Sequence, residues 1–384
     1  MVEARFRFEG RCLAGENPKE LNPRVAPDFF LREFIRRDKT FFIHPSLILT
    51  LQSIRYLVGQ EVKVAHVDEG KQGTRGFCAS VRCGNLSELK RVCSMLLNQG
   101  ALSKLTPGKD SIFLEARPSP KETISLEEAL DVAFHVNSGY ETSGDPFQQV
   151  TGNFNGAGLS FGPSQVNFKT GTLVQLFRRL EKVSRDILVG CFSARAHWDE
   201  WRGLWDKPVE EQILWGDQHS AGRGKREVKE PWRGYLKRVG QVVEFRQEMV
   251  AFSKETYGSQ LREALKWLRT VGPHPITDLR CFCALFDLCT QQESLDKAQA
   301  QIKARIEKEK PKNQREVVQI ACEERARTAD APWQAACLSR CLGILYGAPF
   351  SAKEGGKAAK ADNPYFSLLP EMEVQGMQKF LASA

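Results

Sequence analysis

Glu141 and Asp145 are two carboxyl groups four residues apart. They stand between a segment of helical spacing and a run too rich in glycine and asparagine to form a core element, residues 152–162. A carboxyl group pressed against aromatic rings loses hydration and keeps its proton to higher pH, which suits it to proton donation. Phe134, Tyr140 and Phe147 are the rings that could do this to Glu141. Glycine has no Cβ, so the run that follows can turn tightly and let backbone approach a ligand closely.

The elements that position these residues read as follows. Ser125 followed by Glu128 is a capping-box signature for a helix to about Ser138, with Gly139 ending it and Glu141 just beyond. Residues 150–168 read as short strands and turns, and helical spacing resumes over 172–188. From there the chain reads as all-helical: 198–205, 209–216, one long helix over 235–272, then 278–291, 295–310, 314–328 and 333–347. Turn signals at Pro275, Pro311 and Pro332 separate them. Upstream, 29–37, 46–59 and 86–100 have helical spacing, whereas 61–67 and 111–116 alternate like strands. Residues 116–123 are a proline-interrupted linker, and 351–362 a small, charged, low-complexity loop. The predicted fold class is α+β. A mainly helical domain with a short β-hairpin, residues 124–384, follows a small mixed α/β domain, residues 1–118.

At 384 residues the chain is too long for one small core. Its 41% hydrophobic and 27% charged residues are ordinary for a globular protein. No apolar run approaches the ~20 residues of a membrane span. The first residues lack the apolar stretch of a signal peptide. Eleven cysteines, an odd count in apolar helical contexts, fit synthesis in a reducing compartment better than a disulfide framework. The net charge of +8 favours anionic partners, but the cations are spread among 47 acids rather than gathered in a stripe. A nucleic-acid binder has only that charge behind it, and nucleic acid is not among the expected partners.

Residues 139 onward resemble the chitosanase-like branch of the lysozyme superfamily. The carriers are Glu141 after its helix and the run Asn153-Phe154-Asn155-Gly156-Ala157-Gly158-Leu159-Ser160-Phe161-Gly162. That run is similar to the family's N-x-D-G-x-G-x-[ST]-x-G hairpin. Gly171-Thr172-Leu173 resembles its Ser-Gly-Thr helix start. Phe286-Asp287-Leu288-Cys289-Thr290-Gln291 is similar to its Tyr-Asp-x-x-Val-Gln element. The resemblance covers roughly residues 124–347. It implies a lysozyme-like glycoside hydrolase with Glu141 as general acid, no cofactor, and peptidoglycan or a related amino-sugar polymer as partner. Few acids near the hairpin point to peptidoglycan rather than chitosan. The family's second acid falls where this chain has Asn155, and an amide is neither base nor nucleophile. Three readings stay open: a single-acid mechanism in which the substrate supplies the missing group, Asp145 as second carboxylate, or a glycan-binding site without catalysis.

Residues 27–116 resemble a degenerate zinc peptidase of the D-Ala-D-Ala type, carried by 30–34, 44–64 and 111–118. Where that family holds zinc, residues 73–83 and 111–116 contain no histidine. A metal-free accessory domain is expected.

Ser160, Gln165 and Asn167 could hold sugar hydroxyls or position water, or equally serve their own turns. Asp287 could contact substrate, or anchor a helix by a salt bridge. Trp198, Trp201 and Trp205 share a helix face, first of all a core stripe. Cys281, Cys283, Cys289, Cys337 and Cys341 read as buried core thiols. Residues 219–227 form a basic glycine loop. Synthesis in a bacterial or phage-infected cytoplasm is expected. Action on a wall or in the periplasm would then use phage lysis, as an endolysin, or a contact-dependent secretion machine, as an antibacterial effector with an immunity protein.

Overall fold

The computed structural model describes residues 5–9, 12–16, 24–26, 29–35, 40–58, 60–67, 78–98, 101–116, 123–141, 145–331, 333–346, 369 and 371–382. Backbone proximity divides the chain into two compact units, Met1–Val136 with Gln260–Ala384, and Asn137–Ser259. This line differs from the sequence-based segments 1–118 and 124–384.

The first unit opens with β1 (Arg5–Glu9) and β2 (Cys12–Glu16), then β3 (Arg24–Ala26) paired with β4 (Phe29–Phe30), then β5 (Thr40–Ile43). β2 is the centre of the antiparallel sheet β1-β2-β5. The helical spacing of 29–37 is not realised as an α-helix. β4 is followed by one 3-10 turn, Leu31–Phe34. The reason is tertiary: Phe29 and Phe34 are both fully buried, with ring centroids 6.3 Å apart.

Next come α1 (Pro45–Val58), β6 (Val62–Val67), β7 (Cys78–Cys83), α2 (Leu86–Asn98), β8 (Leu102–Pro107) and β9 (Ile112–Ala116). The four strands form an antiparallel sheet in the order β6-β7-β9-β8. On β9 the alternation is strict, with Ile112, Leu114 and Ala116 buried. These residues join Leu47, Leu51 and Ile54 of α1 and Leu89 and Val92 of α2 in one core.

β10 (Thr123–Ser125) leads into α3 (Leu126–Glu141). The capping box forms: Ser125 Oγ accepts from the Glu128 N–H, and the Glu128 carboxylate accepts from the Ser125 N–H. α3 does not stop at Gly139, and Glu141 is its last residue. Glycine costs only about 1 kcal/mol relative to alanine inside a helix. That is too little to end one whose residues 136–139 are all buried.

In the second unit β11 (Val150–Thr151), β12 (Ser160–Phe161) and β13 (Val166–Asn167) form a small antiparallel sheet. Then follow α4 (Thr172–Gly190), α5 (Arg195–Leu204), α6 (Val209–Gln218), the pair β14 (Ser220–Ala221) and β15 (Glu227–Val228), α7 (Trp232–Val239) and the start of α8 (Val243–Val271). The single helix expected over 235–272 is two. The Arg246 side chain donates to the Gly240 carbonyl at 2.7 Å, satisfying a C-terminal acceptor where α7 ends. The core is aromatic. The Trp201 ring lies 5.0 Å from Phe177 and 5.5 Å from Trp215, and Trp198 and Trp205 are 5.8 Å apart. The tryptophan stripe is core packing, with all three rings buried.

The first unit closes with α9 (Leu279–Gln292), α10 (Gln299–Glu309), α11 (Gln314–Arg327), α12 (Gln334–Tyr346), β16 (Glu373–Gln375) and α13 (Met377–Ala382). β16 pairs parallel with β10. α9 is buried from Leu279 to Cys289, packed on α11 and α12. Burial pushes the Cys289 thiol up to about 12, so it stays protonated and inert. The fold class is α+β and mainly helical. No helix among the described residues is long and apolar enough to cross a membrane. Residues 351–362, and 117–122 of the linker, lie outside the described residues.

Candidate functional site

The second unit holds most of the residues that the sequence singles out. Glu141 ends α3, its side chain lying outside the described residues. Four residues on, Asp145 caps the 3-10 turn Pro146–Gln148. Its carboxylate accepts from the Phe147 N–H at 3.1 Å, from Gln148 Nε2 at 2.6 Å and from Arg246 Nη2 at 2.5 Å. That carboxylate is thus engaged by an arginine and two further donors.

The glycine run forms the connection between β11 and β12. Gly156, Gly158 and Gly162 have φ of +78°, +81° and +77°, a region that side-chain-bearing residues rarely enter. Asn155 is exposed near this tip, and its Oδ1 accepts from the Ala157 N–H at 3.2 Å. Ser160 sits opposite Asn167 across β12 and β13 and is 4% exposed. Gln165 Oε1 accepts from Thr151 Oγ1 at 2.8 Å, and its Nε2 donates to the Gly162 carbonyl at 2.9 Å. Asn167 Oδ1 accepts from the Thr170 N–H at 3.0 Å, and its own N–H donates to Thr172 Oγ1 at 3.1 Å. Gln165 and Asn167 thus hold the turns of the hairpin. Asn155 is the polar residue of this set most open to solvent.

Asp287 belongs to the other unit. It is fully buried, and its carboxylate accepts from Arg340 Nη2 at 2.6 Å, Arg340 Nε at 2.9 Å and Gln291 Nε2 at 2.6 Å. That geometry is a helix anchor between α9 and α12 and leaves no face for a polymer.

Four further residues matter to this architecture, and the sequence did not show what they bond or pack against. Asn153 pins the hairpin. Its Nδ2 donates to Asp217 Oδ1 at 2.7 Å, its Oδ1 accepts from the Gly158 N–H at 2.8 Å, and its N–H donates to Ser220 Oγ at 2.8 Å. Asp217 also accepts from Lys225 Nζ at 2.6 Å, and these bonds, Lys225 first, hold its carboxyl below the usual range. Arg246 neutralises Asp145 from a hundred residues away in sequence, beyond the reach of pattern reading. Gly152 carries a further constraint. A Cβ there would lie 2.5 Å from the carbonyl oxygens of both Lys225 and Glu227, so hairpin and basic loop meet backbone to backbone.

A groove of about 420 Å³ opens beside this hairpin. It is lined by Asp145, residues 148–150, Arg226, Glu227, Val228, Arg233 and Lys237. Among the described residues no group of three or more His, Cys, Asp or Glu side chains is placed to hold a metal ion.

No family model matches the chain, and no curated protein matches it. Among solved structures the chain is similar to a chitosanase of glycoside hydrolase family 46 from Gynuella sunshinyii in complex with chitotetraose. The identity is 14%, the TM-score 0.42, and the match covers 58% of this chain and 89% of that one. None of these comparisons supports the resemblance of residues 27–116 to a zinc peptidase.

Proposed function

We propose that the protein is a lysozyme-like glycoside hydrolase that cuts the glycan strands of peptidoglycan, with Glu141 as the general acid. The observation that carries this reading is the order of groups at the end of α3. Glu141 is the helix's last residue, and the chain then builds the glycine hairpin within the same unit. Of the other two candidates, Asp145 has its carboxylate held by Arg246, and Asn155 carries an amide. Proton donation to the leaving oxygen therefore falls to Glu141. With no second carboxylate at Asn155, a single-acid mechanism is the one these residues support. The substrate's acetamido group or a hydroxyl of its own then takes the second role, giving a reducing or an anhydro end.

Asn155 also favours a second reading, a glycan-binding protein without catalysis, since its exposed amide could bond a sugar but not activate water. A chitosanase is the further alternative within the hydrolase class.

The test is mass spectrometry of purified peptidoglycan incubated with the protein and with Glu141→Gln. Soluble fragments from the wild type, reduced about a hundredfold or more in the variant, are expected for loss of a general acid. The chemical form of the new ends names the mechanism. No release from either protein, with both retained on the polymer, would leave the binding reading in its place.

A further inference from the structure

The groove beside the hairpin has a charge arrangement that the hydrolase reading does not use. Its lining carries three cations, Arg226, Arg233 and Lys237, against two carboxylates, Asp145 and Glu227. Asp145 is already paired with Arg246, which is not part of the lining. Glu227 packs against Gly222 of its own turn, where a Cβ would lie 2.9 Å from its Oε1. Arg233 is bonded to Glu230 through Nε at 2.8 Å. Among the described residues no carboxylate lies within salt-bridge distance of Arg226 or Lys237, and both are exposed; Glu230, bonded to Arg233, is the carboxylate whose charge reaches Lys237.

Arg226 is also held in place. Its guanidinium lies over the Phe154 ring at 4.7 Å from the centroid. Stacking on a ring fixes the plane and leaves the edge, with its fork of N–H donors, to bind an anion. Phe154 belongs to the hairpin, and the Arg226 carbonyl accepts from the Gly152 N–H at 3.2 Å. The cation is thus tied at backbone and side chain to the hairpin. A volume of about 420 Å³ falls within the ~300–1,000 Å³ of ligand pockets.

We propose that this groove is an anion-binding subsite that takes a carboxylate carried by the amino-sugar polymer, with Arg226 and Lys237 as its two contacts. The proposal deepens the reading above and rests on it: the substrate class becomes an anionic glycan rather than a cationic one. A planar carboxylate matches the guanidinium fork with two parallel bonds. Polymer amines would meet like charge in the same place. Nucleic acid fits less well, because its affinity comes from many phosphates met by a spread of cations, not from two cations in one groove.

Calorimetric titration in a Glu141→Gln background tests it without cleavage. The probes are soluble peptidoglycan strands, the same strands with their carboxylates amidated, an N-acetylglucosamine hexamer, and a short DNA duplex. Unmodified strands should bind about tenfold or more tighter than amidated strands on the unchanged protein. Adding Arg226→Gln and Lys237→Gln should erase that difference and leave the neutral hexamer's Kd where it was. Arg226→Lys, which keeps the charge without the fork, should fall between. Equal affinity for amidated and unmodified strands overturns the proposal. So does a loss in the double variant that is as large for the neutral hexamer, or DNA binding that matches the strands and depends on the same two residues. The failures separate cleanly. Wild-type protein that cleaves strands with no Arg226 or Lys237 dependence removes the subsite and keeps the hydrolase. Protein that cleaves nothing yet shows the charge-dependent binding does the reverse.

Discussion

Residues 152–162 and residues 286–291 both read, as sequence, like pieces of a glycan cleft. The first is a surface hairpin whose shape comes from left-handed glycines and from Asn153 bonding to α6 and β14. The second lies inside α9, where Asp287 is fully buried and held by Arg340. The hairpin keeps polar groups in contact with solvent, since its backbone meets its bonding needs through turns. The helix cannot do so, because a buried charge must be neutralised within hydrogen-bonding reach. An acid in a motif says nothing about whether its charge is already compensated. That depends on which cation the fold brings alongside.

The largest expected effect lies on the helix side of this contrast. Arg340→Met takes the guanidinium away from the buried Asp287 carboxylate and should destabilise the first unit by about 3–5 kcal/mol, read from chemical denaturation. Replacing both members, Asp287→Leu with Arg340→Met, should recover much of that loss. If Arg340→Met alone is neutral, the anchor reading of Asp287 fails and its carboxylate is available for other work. On the hairpin side, Gly152→Ala drives a methyl group against two backbone carbonyls. It should cost about 1–3 kcal/mol and lower binding of peptidoglycan strands, since the hairpin and the Arg226 loop must part. An unchanged melting temperature would show that the two segments are not held that closely.

Asn155→Asp bears on chemistry more than stability. The side chain is exposed, and a carboxylate can still accept from the Ala157 N–H, so folding should change by no more than about 0.5 kcal/mol. Release of reducing ends should rise roughly tenfold or more if a base at this position is what the site lacks. An unchanged rate would favour the single-acid mechanism.

The smallest effect is a pH effect. Asp217 is depressed in the folded protein by Lys225 and then Asn153. Its contribution is therefore present above the unfolded pKa and lost as pH falls through the folded value. Lys225→Ala should raise the Asp217 pKa toward the ordinary range, seen by NMR titration. The stability difference between the two proteins should shrink on acidification. A constant difference down to pH 2 would mean that Lys225 acts through something other than this carboxylate.

Much of the architecture was present in local pattern. The reciprocal Ser125–Glu128 cap, the strands at 61–67 and 111–116 and the helices of residues 172–346 depend on periodicity and capping, which act within a few residues. The hairpin was legible because its left-handed positions at Gly156, Gly158 and Gly162 favour glycine, whereas the left-handed Gln165 gave no such signal. Other features depended on contacts no local pattern contains. Phe29 and Phe34 give up a helix for burial, α7 ends where Arg246 reaches back to Gly240, and Gly139 stays helical because its neighbours are buried.

The same division runs through the site. The sequence by itself determined which groups exist: one acid at a helix end, an amide where a second acid would serve, a basic loop with no assigned work. The tertiary structure decided how those charges are used. Arg246 compensates Asp145, Arg340 compensates Asp287, and Phe154 fixes Arg226 at the rim of a groove, with no carboxylate among the described residues within salt-bridge distance of Arg226 or Lys237. Electrostatic pairing acts through space over a few ångströms, and only the fold sets which distant residues come that close.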